Sequence, residues 1–242
     1  MNESVAFHAS ETSAPRRLNE VAEQTGSTIW VTLSRPEKAN ALDIATLDLL
    51  LATLEMVEHA PDARTLVFSG AGRHFCAGAD LAALRAGGLE LALACDVVLA
   101  AKSATFGDAH LANGLLPGGG STARLPRTIG WQRAKWLILS AATIDAFTAR
   151  DWGMVFDVVE DGELEAAALR LAQCLTHGDG VATQRAKRLL AMTGEQSMSA
   201  SLEAEITTLE AHYHSSAFQS GIDRFFGERR HKTGIEPRGQ QI

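Results

Sequence analysis

The chain has 242 residues, long enough for one large α/β domain with a smaller appendage, and 46% hydrophobic against 21% charged is an ordinary globular balance. A net charge of -7 offers no general attraction to nucleic acid or anionic lipid, and no apolar run of about 18 residues marks a membrane span. Cys76, Cys95 and Cys174 are too few and scattered for a disulfide framework, and the opening MNESVAFHASETSAPRRL lacks an apolar signal core, so a cytoplasmic protein is expected.

In chain order, residues 1–17 read as polar and frayed. STIWVTL (27–33) predicts a strand that ends at the turn-forming SRPEKAN. DIATLDLLLATLEMVEHA (43–60) has helical spacing, with Asp43 as its N-cap. ARTLVFSG (63–70) predicts a short strand closed by glycine and AGRHFCAGAD (71–80) a loop of small residues, while DVVLAAKSATFG (96–107) contains another buried strand. A helix through WQRAKWLILSAA and a helix–strand pair ending at GMVFDVV follow, and beyond Gly162 the pattern is helical throughout. Alternation followed by helices alone predicts an α/β core over 1–160 and a helical region over 161–242.

The stretch RAGGLELALACDVVLAA (85–101) places Glu90 at the entrance to an otherwise apolar helix, where an unpartnered carboxylate costs several kcal/mol. The two glycines before it, and the small residues of FCAGAD, let backbone N–H groups approach a ligand without side chains intervening. Two such groups, one from each loop, can grip a carbonyl oxygen that becomes an oxyanion, worth roughly 2.7–4 kcal/mol per donor. Taken alone, the same glycines also read as plain caps and turns. The histidines of HYH (212–214) fall on different helix faces, HFC (74–76) has no zinc spacing and PGGGST lacks the lysine of a phosphate-binding loop, so no metal or cofactor is expected.

The ordered series LSRPEKANAL, GRHFCAGADL, GGLELALACDVVLAA, ATFG, GLLPGGGSTARLPRTIG and ARDWGMVFDVV resembles the enoyl-CoA hydratase/isomerase (crotonase) family across residues 27–160, and more loosely to RFFGERR. The resemblance implies a core of stacked ββα turns and a C-terminal helical region that forms a homotrimer or homohexamer. It implies an acyl-CoA thioester as substrate, with CoA part of the substrate rather than a cofactor. Ala79 and Gly87 match the two oxyanion-hole N–H donors. Lys38, Ala39, Ala77, Asp80 and Leu81 match the substrate and CoA contacts, and Phe225 and Arg229 fall near the CoA pocket and subunit interface. Glu90 matches the first of the two catalytic glutamates of the family's hydratases.

Two departures qualify the resemblance. Where the hydratases carry their second glutamate, DAHLANGLLPGGG supplies His110, with Asp108 two residues earlier. In the family, a helical segment and then a buried strand separate FCAGADL from the glycine turn. Here Leu84 and Arg85 run straight into AGGLE, so either the chain carries an internal deletion or a stretch is missing from the letters. Losing that strand strips its neighbours of backbone partners. Three functions follow: a hydratase with Glu90 and His110 sharing acid–base work, a one-base double-bond isomerase with His110 lining the pocket, or an acyl-CoA-binding protein without catalysis.

Overall fold

A computed structural model of the chain describes residues 20–60, 62–78 and 87–233. Strand β1 (Glu20–Thr25) turns back antiparallel onto β2 (Thr28–Leu33), which runs parallel to β3 (Thr65–Gly70). The alternation in TIWVTL sends Ile29, Val31 and Leu33 inward, where they meet Leu42 and Leu50. Leu50 comes from α1 (Ile44–Glu58), the helix that carries the chain from β2 to β3. As the sequence predicts, Asp43 caps α1: one carboxylate oxygen accepts the Thr46 N–H at 2.8 Å and the Thr46 hydroxyl at 2.7 Å, and the other lies 2.9 Å from Arg35 Nη1.

The stretch 96–107, expected to contain a buried strand, holds two, with a turn at Lys102–Ala104 between them. Strand β4 (Leu99–Ala101) pairs parallel with β7 (Asp157–Val159), and β5 (Thr105–Gly107) pairs antiparallel with β6 (Thr143–Asp145). Between β5 and β6 come α3 (Ser121–Ile129) and α4 (Trp131–Ser140), and α5 (Ala146–Asp151) leads to β7. Leu125, Ile129, Ala134, Leu137, Ile144 and Met154 close a second apolar cluster over these elements.

Among the described residues no ladder joins β3 to β4; they lie in separate sheets. A strand-like run between FCAGADL and AGGLE would be needed to pair with both, and the sequence has none. The short helix α2 (Gly88–Ala94) joins the two halves instead: Leu91 packs on the β2 cluster, while Leu89 and Leu93, one turn apart, pack on the α3–α4 cluster.

The chain divides into two compact units, the first ending at Arg170 and the second beginning at Leu171. Helix α6 (Leu164–Thr176) spans the division. In the second unit α7 (Gly180–Thr193), α8 (Met198–Tyr213) and α9 (Ser216–Thr233) pack on one another. Leu202, Ile206, Leu209 and Tyr213 form an exposed stripe along one face of α8. No helix among the described residues is long and apolar enough to cross a membrane.

Burial raises the Asp43 carboxyl, but the Thr46 hydroxyl and amide and the Arg35 guanidinium outweigh it and hold the group below the usual carboxylate range. A depressed folded-state value means that the cap stabilises above the unfolded value and fades as the group protonates. Asp43→Ala should therefore lower stability by about 1 kcal/mol at pH 7. In chemical denaturation the gap from the parent protein should narrow as pH falls below about 4. A gap independent of pH would mean that the carboxylate charge adds nothing.

Candidate active site

The site is built where loops meet. Asn40, 1% exposed and at φ +56°, fastens the 35–43 turn to the 71–78 loop. Its Oδ1 accepts the Arg35 N–H at 2.8 Å, and its Nδ2 donates to the carbonyls of Ala71 at 2.9 Å and His74 at 2.6 Å. Asparagine tolerates the left-handed conformation, and its amide serves an acceptor and two donor roles at once. Two backbone bonds finish the seam: Ala77 N–H to Ala39 O and Leu42 N–H to Gly78 O, both 2.9 Å. The seam sets Ala39 and Ala77 side by side, with Lys38 exposed at the rim.

The first turn of α2 lies against this loop. A Cβ at Gly88 would overlap the Cys76 carbonyl oxygen, so only glycine lets the backbones approach, and one at Gly87 would stand 3.3 Å from Gly78 Cα. Glu90, third residue of the helix, turns back so that Oε2 accepts the Gly87 N–H at 3.0 Å. This capping contact offsets part of the cost of a carboxylate only 3% exposed. Its other oxygen, Oε1, is buried and has no hydrogen-bond partner among the described residues.

What Oε1 faces is His110, whose Nε2 lies 3.7 Å away. The 108–110 turn is pinned by Asp108, which is 2% exposed. Asp108 Oδ1 accepts both the His110 backbone N–H at 3.1 Å and the ring Nδ1 at 2.6 Å, and Oδ2 accepts the Ser121 hydroxyl at 2.7 Å. Ser121 opens α3 and is fully buried; Gly120, at φ +102°, makes the turn that places it there. The result is one line of polar groups, Ser121–Asp108–His110–Glu90, contributed by α3, the 108–110 turn and α2.

Glu90, Asp108 and His110 each offer a ligand atom within 4.8 Å of the others, the spacing of a metal-ligand set. Their contacts fit proton transfer better. Nδ1 and Oδ1 at 2.6 Å are hydrogen-bonded with no room for an ion between them, while Nε2, across the ring, faces Glu90.

Glu90, His110 and Gly87 thus converge, and Ala39 and Ala77 share the adjoining seam. Ala79, Asp80 and Leu81, the other residues matched to the oxyanion hole and CoA contacts, lie outside the described residues. The Gly87 N–H is engaged by Glu90, so an incoming oxygen must take the place of Oε2. Asn40 and Ser121 escaped the sequence reading. The signal for Asn40 was its place in the turn, where asparagine is a favoured left-handed residue; Ser121 gave none beyond following three glycines.

The model of the family described as enoyl-CoA hydratase/isomerase matches residues 82–233, and a second model of the same description matches 28–88. A 2,3-dehydroadipyl-CoA hydratase of Escherichia coli is 32% identical over 73% of this chain and 83% of its own length. A short-chain-enoyl-CoA hydratase of Clostridium acetobutylicum is 29% identical over 71% of this chain and 80% of its own. Among solved structures, an enoyl-CoA hydratase from Bacillus anthracis superposes with TM-score 0.80 at 28% identity, covering 91% of this chain and 98% of that one. Another from Mycobacterium marinum gives 0.82 at 26% identity, covering 87% and 96%. The E. coli alignment spans 212 residues, more than the 73% of this 242-residue chain that takes part, so the relative carries residues in that span that this chain lacks. That agrees with the short link before AGGLE.

Two measurements test the site's architecture. Asn40→Ala should destabilise the protein by more than about 2 kcal/mol, because each buried group left without its partner costs about 1–3 kcal/mol; an unchanged denaturation midpoint would remove Asn40 as the clamp. Burial pushes the Cys76 thiol up, and the Glu90 carboxylate adds to the shift. Iodoacetamide at mildly alkaline pH should therefore label exposed Cys174 well before Cys76, as peptide mapping would show.

Proposed function

Since the chain belongs to the enoyl-CoA hydratase/isomerase family and is an acyl-CoA-processing enzyme, we propose that it adds water across the double bond of a 2-enoyl-CoA, with Glu90 and His110 as its acid–base pair. The observation that carries this reading is the 3.7 Å approach of His110 Nε2 to Glu90 Oε1, a buried oxygen with no other partner among the described residues. A water molecule held by both atoms would sit at the mouth of the pair.

In this mechanism the thioester oxygen takes the Gly87 N–H from Glu90 Oε2, with Ala79 as second donor, and the two stabilise the charge that develops there. His110 Nε2 accepts a proton from water as the oxygen bonds to C3, and the C2=C3 electron pair moves into an enolate ending on the thioester oxygen. The proton on His110 passes to the Glu90 carboxylate at Oε1, and as the enolate collapses C2 takes it from there, which returns both groups to their starting states. One water is consumed and the enzyme returns to its starting state. Lys38, Ala39, Ala77, Asp80 and Leu81, matched by the family resemblance, hold the CoA portion. The absence of a charge change overall suits a pair of titratable groups that exchange one proton.

We also propose a cytoplasmic homotrimer or homohexamer, supported by the exposed stripe on α8, which a second copy would cover. Sedimentation as a monomer at micromolar concentration would count against the assembly.

Glu90→Gln keeps the shape of the side chain but removes its basic oxygen. Hydration of crotonyl-CoA, and exchange of the α-proton of the hydrated product with deuterium, should fall about 10²–10⁴-fold while the ester still binds. Retained exchange would reduce Glu90 to a helix-start carboxylate. His110→Gln should bring a comparable fall in hydration. A mild loss there, with exchange intact, would instead mark a one-base isomerase in which His110 lines the pocket.

A further inference from the structure

We infer that Asp108, held by Ser121, is a positioning residue that fixes His110 in the tautomer with its proton on Nδ1 and so presents Nε2 to Glu90 as a proton acceptor. The inference rests on the reading of His110 as the partner of Glu90, and it assigns a role to two residues for which that reading has none.

The geometry constrains the hydrogen atoms. An ionised carboxylate only accepts, and Asp108 is surrounded by donors: the His110 backbone N–H and ring on Oδ1, the Ser121 hydroxyl on Oδ2. The ring nitrogen at 2.6 Å must therefore carry a proton, and in a neutral imidazole that leaves the lone pair on Nε2. The same oxygen that sets the tautomer also sets the rotation of the ring, because it holds the backbone N–H of the residue it orients. Asp108 at 2% exposure and Ser121 at 0% are screened from water that might compete for these bonds. His110, by contrast, stays partly open, its side chain 20% exposed. A glutamate in place of His110 would need no such partner. The histidine does, since its two tautomers are otherwise close in energy and only one leaves Nε2 free to accept.

A turn-forming aspartate with no bearing on chemistry would make the same contacts, so the test must separate the two. Asp108→Ala removes the acceptor from Nδ1, so neither tautomer is held and the ring is free to turn. Hydration of crotonyl-CoA should show kcat lowered about 10²–10⁴-fold with KM little changed, the pattern of a histidine no longer held in its productive tautomer. Nitrogen-15 spectra of the neutral ring should place the proton on Nδ1 in the parent protein and show both tautomers in the variant. In a His110→Gln background the same substitution should cost little more, because Asp108 then has no ring to orient. Ser121→Ala, which spares the carboxylate, should give a smaller fall in kcat and serves if Asp108→Ala does not fold. The inference is overturned if the spectra show the Nε2-protonated tautomer in the parent, if Asp108→Ala retains kcat while His110→Gln loses it, or if the two losses multiply. Full hydration by His110→Gln would instead overturn the underlying reading of His110, and the nitrogen spectra would still decide whether Asp108 sets the tautomer.

Discussion

Where the first turn of α2 meets the 71–78 loop, two backbones touch with no side chain between them, Gly88 against the carbonyl of Cys76. A methyl group at Gly88 would overlap that carbonyl and force the contact open, and Glu90 stands two residues further along the same helix. A displacement of about 1 Å can cost two orders of magnitude in a positioned reaction. The Asn40 clamp fixes one side of the contact, because it decides where the 71–78 loop lies. The leucines of α2 fix the other. The approach of Glu90 to His110 thus depends on how α2 packs on the 71–78 loop, with the Gly87 N–H bond to Oε2 adding to it.

The fold was legible where periodicity and caps agreed. The alternation of TIWVTL and the Asp43 cap of α1 both appear in the structure within a residue or two of their expected limits. DVVLAAKSATFG holds the expected buried strand in β4 and a second, β5, beyond the turn at Lys102, Ser103 and Ala104; three residues are too short to show a pattern, and only the pairing with β6 defines it. Strand β1 passed unread because EVAEQT carries two acidic residues and no apolar stripe; its partner β2 defines it. The helix through Pro126 was equally hidden, since tertiary packing of Leu125 and Ile129 holds a segment that local propensity disfavours.

At the site, Glu90 declared itself by being charged in an apolar run, and His110 by standing where a glutamate was expected. Hydrogen-bond partners are a different matter. Asp108 and Ser121 are thirteen positions apart, and no pattern in the letters says that they meet. The same holds for Asn40, whose three partners come from both sides of α1 and β3. Sequence shows which groups have chemistry to offer; their pairing is a property of the folded chain.

Helix α2 belongs to two apolar clusters and runs for only seven residues, Gly88–Ala94. In most α/β cores a continuous sheet shares strain among neighbouring strands, but here β3 and β4 have no ladder between them among the described residues. Local opening of α2 must break contacts with both clusters at once, which places its amides toward the slowly exchanging end of the chain's range of local stabilities. Short helices at active sites commonly fray; this one is fastened on two sides. The carboxylate it carries is held steady by the joint that takes over where the sheet is interrupted.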